Sequence, residues 1–216
     1  MRYLGIAALS ASVLLLELTL TRVYSVAHGY HFAFLAVSLG FLGFGASGTA
    51  LFVGRDFLRR KVPFLLPISA FLFPLTALGA YWAINTIPFD SYRLVVDREM
   101  IGWMMAFYIV QIVPFFFAGL VLGGALVADP ANVHRIYGSS LLGSGAGSLL
   151  ALGGPSSTGP NGALLVVALL GALAFVALIR QRTIRNIIVA SMGVAALAAA
   201  GRFIPRALDL EVSPYK

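Results

Sequence analysis

The chain has 216 residues, of which 60% are hydrophobic and 11% are charged. This composition excludes a soluble domain and predicts an all-α, polytopic transmembrane helix bundle. The formal net charge is +7, but the basic residues lie in short clusters between apolar runs, which indicates membrane topology and anionic lipid headgroups instead of nucleic acid. The absence of cysteine excludes disulfides, thiolate metal sites and cysteine nucleophiles.

Seven segments are apolar enough to cross a hydrocarbon core of ~30 Å at ~1.5 Å per residue. The first has no small-residue cleavage site after a short apolar core, which predicts a retained helix and not a signal peptide. The fifth is short and rich in glycine and serine, and the seventh is rich in alanine. We expect a transmembrane helical domain over 1–204 and a short polar tail over 205–216, a candidate linker to a soluble domain. In chain order the predicted spans are 3–26, 31–53, 62–84, 101–127, 137–153, 162–180 and 186–204.

The distribution of lysine and arginine predicts the orientation of these spans. With seven crossings, nine of these residues fall on the side of the N-terminus and five on the other side. The N-terminus is therefore expected in the cytoplasm and the C-terminus outside. The predicted location is the plasma membrane, which in bacteria is the inner membrane.

Small residues recur every three or four positions along three of the spans. This spacing lets helix backbones approach closely in lipid, where no hydrophobic driving force holds helices together. Plain helix packing is the expected role. The residues assigned to it are Gly40, Gly43 and Ser47 in the second span, Gly119 and Gly123 in the fourth, and Gly143 and Gly147 in the fifth.

Glu17 lies inside the first span, where an ionised carboxylate costs about 2.5–3.5 kcal/mol on insertion scales. Arg22 follows five residues later, which on a helix is a divergence of ~140°, so the two side chains do not share a face. Thr21 is one turn from Glu17 and can share its face. Arg22 is near the end of the span and can snorkel to the interface. For Glu17 three roles stay open: a hydrogen bond to another helix, a proton or cation site, and a docking site for another subunit.

His28 and His31 flank the first short connection and could ligate a haem iron or another metal. No carboxylate or cysteine joins them locally, and interfacial histidines in an aromatic belt are the favoured interpretation. We therefore predict no cofactor and keep a haem-holding redox subunit as the third hypothesis. No nucleophile, base and orienting group can be assembled, so enzymatic activity is left undecided.

Three stretches together resemble the membrane domain of spermidine synthase-like integral membrane proteins, a family related to polyamine aminopropyltransferases. The first is 14–52, with a glutamate and a Thr-Arg pair ending one helix and a glycine-rich second helix. The second is Tyr137, followed three residues later by Ser140 where the family has aspartate or asparagine, and then a glycine-rich helix. The third is Ser-Pro-Tyr-Lys, 213–216, which looks like the segment that leads into the soluble part of longer relatives.

The resemblance implies a membrane module without the Rossmann-like catalytic domain of those relatives. The function predicted first is a non-catalytic anchor or assembly subunit in the lipid bilayer, partnered by another subunit or by a soluble domain that follows in the chain. The alternative is a transporter of small cations or polyamines that uses Glu17 as its intramembrane site.

Overall fold

A computed structural model describes residues 1–27, 32–87 and 98–179, and every regular element in these ranges is helical. The predicted seventh span, 186–204, and the tail, 205–216, lie outside the described residues. A 3₁₀ turn, Pro130–Asn132, separates the fourth helix from the fifth. The five helices are α1 (Arg2–Ala27), α2 (Ala33–Val53), α3 (Arg55–Thr86), α4 (Glu99–Ala128) and α5 (Val133–Leu178).

The described part of the chain contains five helical stretches that are long and apolar enough to cross a membrane. They match the first, second, third, fourth and sixth predicted spans, so the all-helical fold is confirmed, and these apolar helices fit a multi-pass integral membrane protein. The fifth predicted span, 137–153, is helical but is not among these stretches, and the count of seven is not confirmed. The five stretches are Arg2–Val26, Ala33–Val53, Phe64–Ile84, Glu99–Ala128 and Gly159–Leu178.

Helix α5 reverses direction at Gly159, which has a φ of 70° and a ψ of −179°. Such a backbone favours glycine, which has no Cβ to clash. Ser140 Oγ lies 2.9 Å from Ser10 Oγ, and Ser12 Oγ donates a hydrogen bond of 2.6 Å to the carbonyl of Val167. Since Ser10 and Ser12 are near neighbours on α1, the two distant parts of α5 lie at the same level of the bundle. The two antiparallel segments are named α5a (133–158) and α5b (Gly159–Leu178).

Helix α1 is the central helix of the bundle and is the most buried of the five spans. At its start Arg2 forms an ion pair of 3.2 Å with Asp129, just beyond the end of α4. Towards its other end the ring of Tyr24 lies 5.6 Å from that of Phe107, near the start of α4. Helices α1 and α4 therefore run antiparallel, and the start of α1 lies at the same end of the bundle as the α4–α5 connection.

Helices α2 and α4 pack in parallel through small residues. A Cβ on Gly43 would lie 2.6 Å from Phe115 Cβ and 2.9 Å from the Ile112 carbonyl oxygen, both too close for a real side chain. One turn further along both helices, a Cβ on Gly119 would overlap the side chain of Ser47. The absence of side chains at these two glycines is what allows the close approach.

Helices α1 and α5a approach closely in the same way. A Cβ on Gly143 would overlap the Ala7 carbonyl group, and a Cβ on Gly147 would overlap that of Ala11. These contacts run in the same direction along both helices, so α5a is parallel to α1. Gly123 is the remaining glycine assigned to packing, and a Cβ there would meet Leu51 Cδ1 of α2 at 2.7 Å.

Candidate functional site

Glu17 lies where α1, α2 and α4 meet, and its side chain is half-buried. A Cβ built on Gly40 would lie 3.8 Å from the carboxyl carbon of Glu17 and 3.7 Å from the ring of Phe115. Glu17 is ~7.5 Å along the helix axis from Arg22 and ~22 Å from Arg2, at ~1.5 Å per residue. The carboxylate is therefore inside the span, nearer to the C-terminal end of α1, and beside a buried glycine of α2.

The two other predicted site residues do not bind this carboxylate. Thr21 Oγ1 donates a hydrogen bond of 2.8 Å to the backbone carbonyl of Glu17, and not to its side chain. Arg22 is exposed, and the ion pair found among the described residues, Arg2 with Asp129, involves neither Glu17 nor Arg22. Within the described part of the chain, the Glu17 carboxylate has neither a hydrogen-bond donor nor a salt-bridge partner.

Glu17 belongs to a row of half-buried side chains along α1. Helices α2 and α5a both pack on α1, but in the described ranges α2 and α5 share no extensive contact with each other. The contacts of Ala7, Ala11 and Ser10 place α5a beside α1, and the Glu17–Gly40 approach places α2 beside it at Glu17. Three half-buried side chains share one face of α1 and are called the α1 groove: Leu14, Glu17 and Thr21.

Gln111 of α4 is a further polar group inside the bundle, and no sequence motif marked it. Its side chain is fully buried, and Nε2 donates a hydrogen bond of 2.7 Å to the carbonyl of Ala80 on α3. Its Oε1 is buried and accepts no hydrogen bond from the described residues. Pro114 has no N–H, so the Val110 carbonyl next to Gln111 also lacks its usual helical donor. The feature of the sequence that could have identified this residue is a single amide side chain in an otherwise apolar span.

Further polar side chains join helices within the bundle. Tyr81 of α3 is buried and donates a hydrogen bond of 3.1 Å to Asn161 Oδ1 of α5b. Ser140 of α5a and Ser10 of α1 share a hydrogen bond of 2.9 Å between their hydroxyl groups. Bonds of this kind in membranes contribute on average about 0.6 kcal/mol, so their main consequence is to fix the register of the helices.

The described residues hold no group of three or more histidine, cysteine, aspartate or glutamate side chains placed to bind a metal ion. His28 and His31, the proposed haem ligands, lie outside the described residues. His134 is exposed near the start of α5a. Comparisons with protein-family models, with curated proteins and with solved structures found no match. The candidate site therefore rests on the Glu17 geometry alone.

Proposed function

We propose that this chain is a non-catalytic integral membrane module that holds a helix of a partner protein in the α1 groove. The observation that carries the proposal is the Glu17 carboxylate, which is half-buried within the span and has no partner among the described residues. A charged group in a membrane span is costly unless it meets a partner or a hydrated site. The α1 groove that contains this carboxylate is only partly buried by the described residues.

The family resemblance supports the same role. In spermidine synthase-like proteins the membrane domain accompanies a soluble domain, and here the proposed partner is a separate subunit that supplies a membrane helix. The proposal includes seven spans, with the predicted span 186–204 as the last, the N-terminus in the cytoplasm and the C-terminus outside. Arg55 and Lys61 lie in the first two turns of α3, at the end of the bundle where α1 begins. Basic residues on that side are consistent with this orientation under the positive-inside rule.

Purification of the tagged full chain in mild detergent tests the assembly role. We expect one partner at a fixed molar ratio, identified by mass spectrometry and weighed as a complex by light scattering. Replacement of Glu17 by Leu should release that partner, while replacement of the outward-facing Ile109 by Ala should retain it, since Ile109 is exposed on α4. A wild-type chain that runs alone in detergent and in native nanodiscs would refute the proposal.

Transport of a small cation is the second candidate, and the observation that favours it is Gln111. Its Oε1, which accepts no hydrogen bond from the described residues, and the Val110 carbonyl are two acceptors from neighbouring residues well inside α4. Acceptors without donors suit a cation or an amine. Uptake of radiolabelled putrescine or of Rb⁺ into proteoliposomes decides this candidate. Equal flux through wild type and through the Glu17→Gln variant would exclude a role of Glu17 in transport.

A further inference from the structure

The end of the bundle where α1 begins carries several basic side chains. Arg2 marks this end, because it forms the ion pair of 3.2 Å with Asp129, just beyond α4. Arg135 follows Asp129 by six residues, lies in the first turn of α5a and is exposed. Its guanidinium group forms no ion pair with an acid in the described part of the chain. Arg135 is therefore a charged group at the surface of this end.

Lys61 lies at the same level on α3. A Cβ built on Gly124 of α4 would lie 3.1 Å from Leu66 Cδ2 of α3, and the two helices run antiparallel. Lys61 is exposed and precedes Leu66 by five residues, which places it ~7.5 Å from this contact. Asp129 follows Gly124 by five residues and lies equally far in the same direction. The cations at this level are named the basic belt: Arg2, Lys61 and Arg135.

The other end of the apolar surface lies about one hydrocarbon thickness away. On α1 the exposed Arg22 follows Arg2 by 20 residues. On α3 the exposed Trp82 follows Lys61 by 21 residues. Each separation is ~30 Å along the helix, which is the thickness of a hydrocarbon core. The basic belt therefore lies at the depth of the headgroups of one leaflet. The large exposed side chains of α3 between these two levels are apolar: Phe64, Ile68 and Leu75.

The two ends of the bundle differ in charge. At the end with the basic belt, Arg55 lies further out on α3, so four cations accompany one acid, Asp129, among the described side chains. At the opposite end the described charged side chains are Arg22, Arg98 and Glu99. The surplus of positive charge is therefore larger at the basic belt.

We propose that the basic belt binds the phosphate groups of anionic phospholipids, an interaction that does not depend on the proposed assembly function. The guanidinium group of Arg135 and the ammonium group of Lys61 can donate charge-assisted hydrogen bonds to phosphate oxygens. Basic residues next to a membrane span attract anionic lipids in this way. Exposed apolar side chains such as Phe64 and Leu141 follow the belt towards the bilayer centre. One lipid molecule can therefore meet a cation with its headgroup and an apolar surface with its acyl chains.

The test counts the lipids that the full-length protein retains. The protein is purified in mixed micelles with equal amounts of phosphatidylglycerol and phosphatidylcholine, and native mass spectrometry counts the bound lipids of each class. We expect wild type to retain about fivefold more phosphatidylglycerol, the size of effect expected of one cation near an anionic surface. Equal retention of the two lipids by wild type would overturn the proposal.

Two matched variants locate the bound lipid. Arg135→Gln and Arg22→Gln each remove one exposed cation, from opposite ends of the bundle. Arg135→Gln should lower the excess of phosphatidylglycerol more than Arg22→Gln does, and both should unfold at the wild-type temperature in phosphatidylcholine alone. An equal or larger effect of Arg22→Gln would contradict a site at the basic belt.

Glycerol phosphate distinguishes a lipid from a soluble phosphate, because it carries the headgroup without acyl chains. At the concentration of the phosphatidylglycerol it should displace none of the bound lipid. Displacement of the lipid by glycerol phosphate would overturn the assignment to a lipid and indicate a site for a soluble phosphate compound.

Discussion

The carboxyl carbon of Glu17 lies 3.8 Å from the position that a Cβ of Gly40 would occupy. This is an ordinary van der Waals distance, so one methyl group fits between α1 and α2 without displacing either helix. A larger side chain would extend over the carboxylate or against the ring of Phe115. A substitution at position 40 therefore changes the packing around the Glu17 carboxyl group without changing any charge.

Replacement of Gly40 by Val should block the α1 groove, and replacement by Ala should not. The added methyl groups of valine reach beyond the Cβ position and cover the carboxylate, whereas alanine ends there. The readout is the amount of partner retained in mild detergent, measured beside the unfolding temperature of each variant. Full retention of the partner by a folded Gly40→Val variant would contradict the proposed route of approach.

Replacement of Gly43 by Ala should destabilise the bundle by about 1–3 kcal/mol, the usual cost of overpacking. Its Cβ would press on Phe115 Cβ at 2.6 Å and on the α4 backbone at 2.9 Å. Gly45→Ala on the same helix is the matched control, because a Cβ there has nothing within 4 Å. Thermal unfolding in detergent compares the two variants. Equal unfolding temperatures would show that α2 does not pack on α4 through Gly43.

Replacement of Gln111 by Leu should change the free energy of unfolding by no more than about 1 kcal/mol. The variant loses one hydrogen bond to Ala80 but also removes a buried oxygen that has no donor among the described residues. Gln111→Glu should cost more, about 2.5 kcal/mol or above, because it puts a carboxyl group inside the bundle. A large loss of stability in Gln111→Leu would show that Oε1 is bonded to a ligand or a water molecule.

The start of α1, the α2–α3 connection and the α4–α5 connection should all face the same side of the membrane. The parallel packing of α2 and α4 and the Arg2–Asp129 ion pair bring these parts to one end of the bundle. Single cysteines at Gly54 and Ala131 should react alike with an impermeant maleimide, in inverted vesicles and not in intact cells. Labelling of the two positions from opposite sides would contradict this arrangement.

Local sequence patterns predicted the helices well, because a span depends on the residues within it. The second span was predicted as 31–53 and is observed as Ala33–Val53, and the fourth was predicted as 101–127 and is observed as Glu99–Ala128. The third helix begins earlier than predicted, at Arg55, since charged residues can continue a helix beyond its apolar part.

The pairing of helices was not predictable in the same way, because it depends on residues far apart in the chain. The small-residue pattern marked Gly143 and Gly147 but did not say that they face Ala7 and Ala11. Glu17 was singled out by its charge alone. Gln111 was passed over because a neutral amide disturbs the apolar pattern less than a carboxylate does, and its bond to Ala80 joins two different helices.

Site-specific photo-crosslinking in native membranes tests the partner-binding groove most directly. A photoreactive residue at Leu14, in the α1 groove, should give one adduct with the co-purified partner, and Glu17→Leu should abolish that adduct. The same residue at Ile109, which is 60% exposed on α4, is the control and should give none. A crosslink from Leu14 only to lipid, or only to residues 180–216 of the same chain, would contradict a partner helix in the groove.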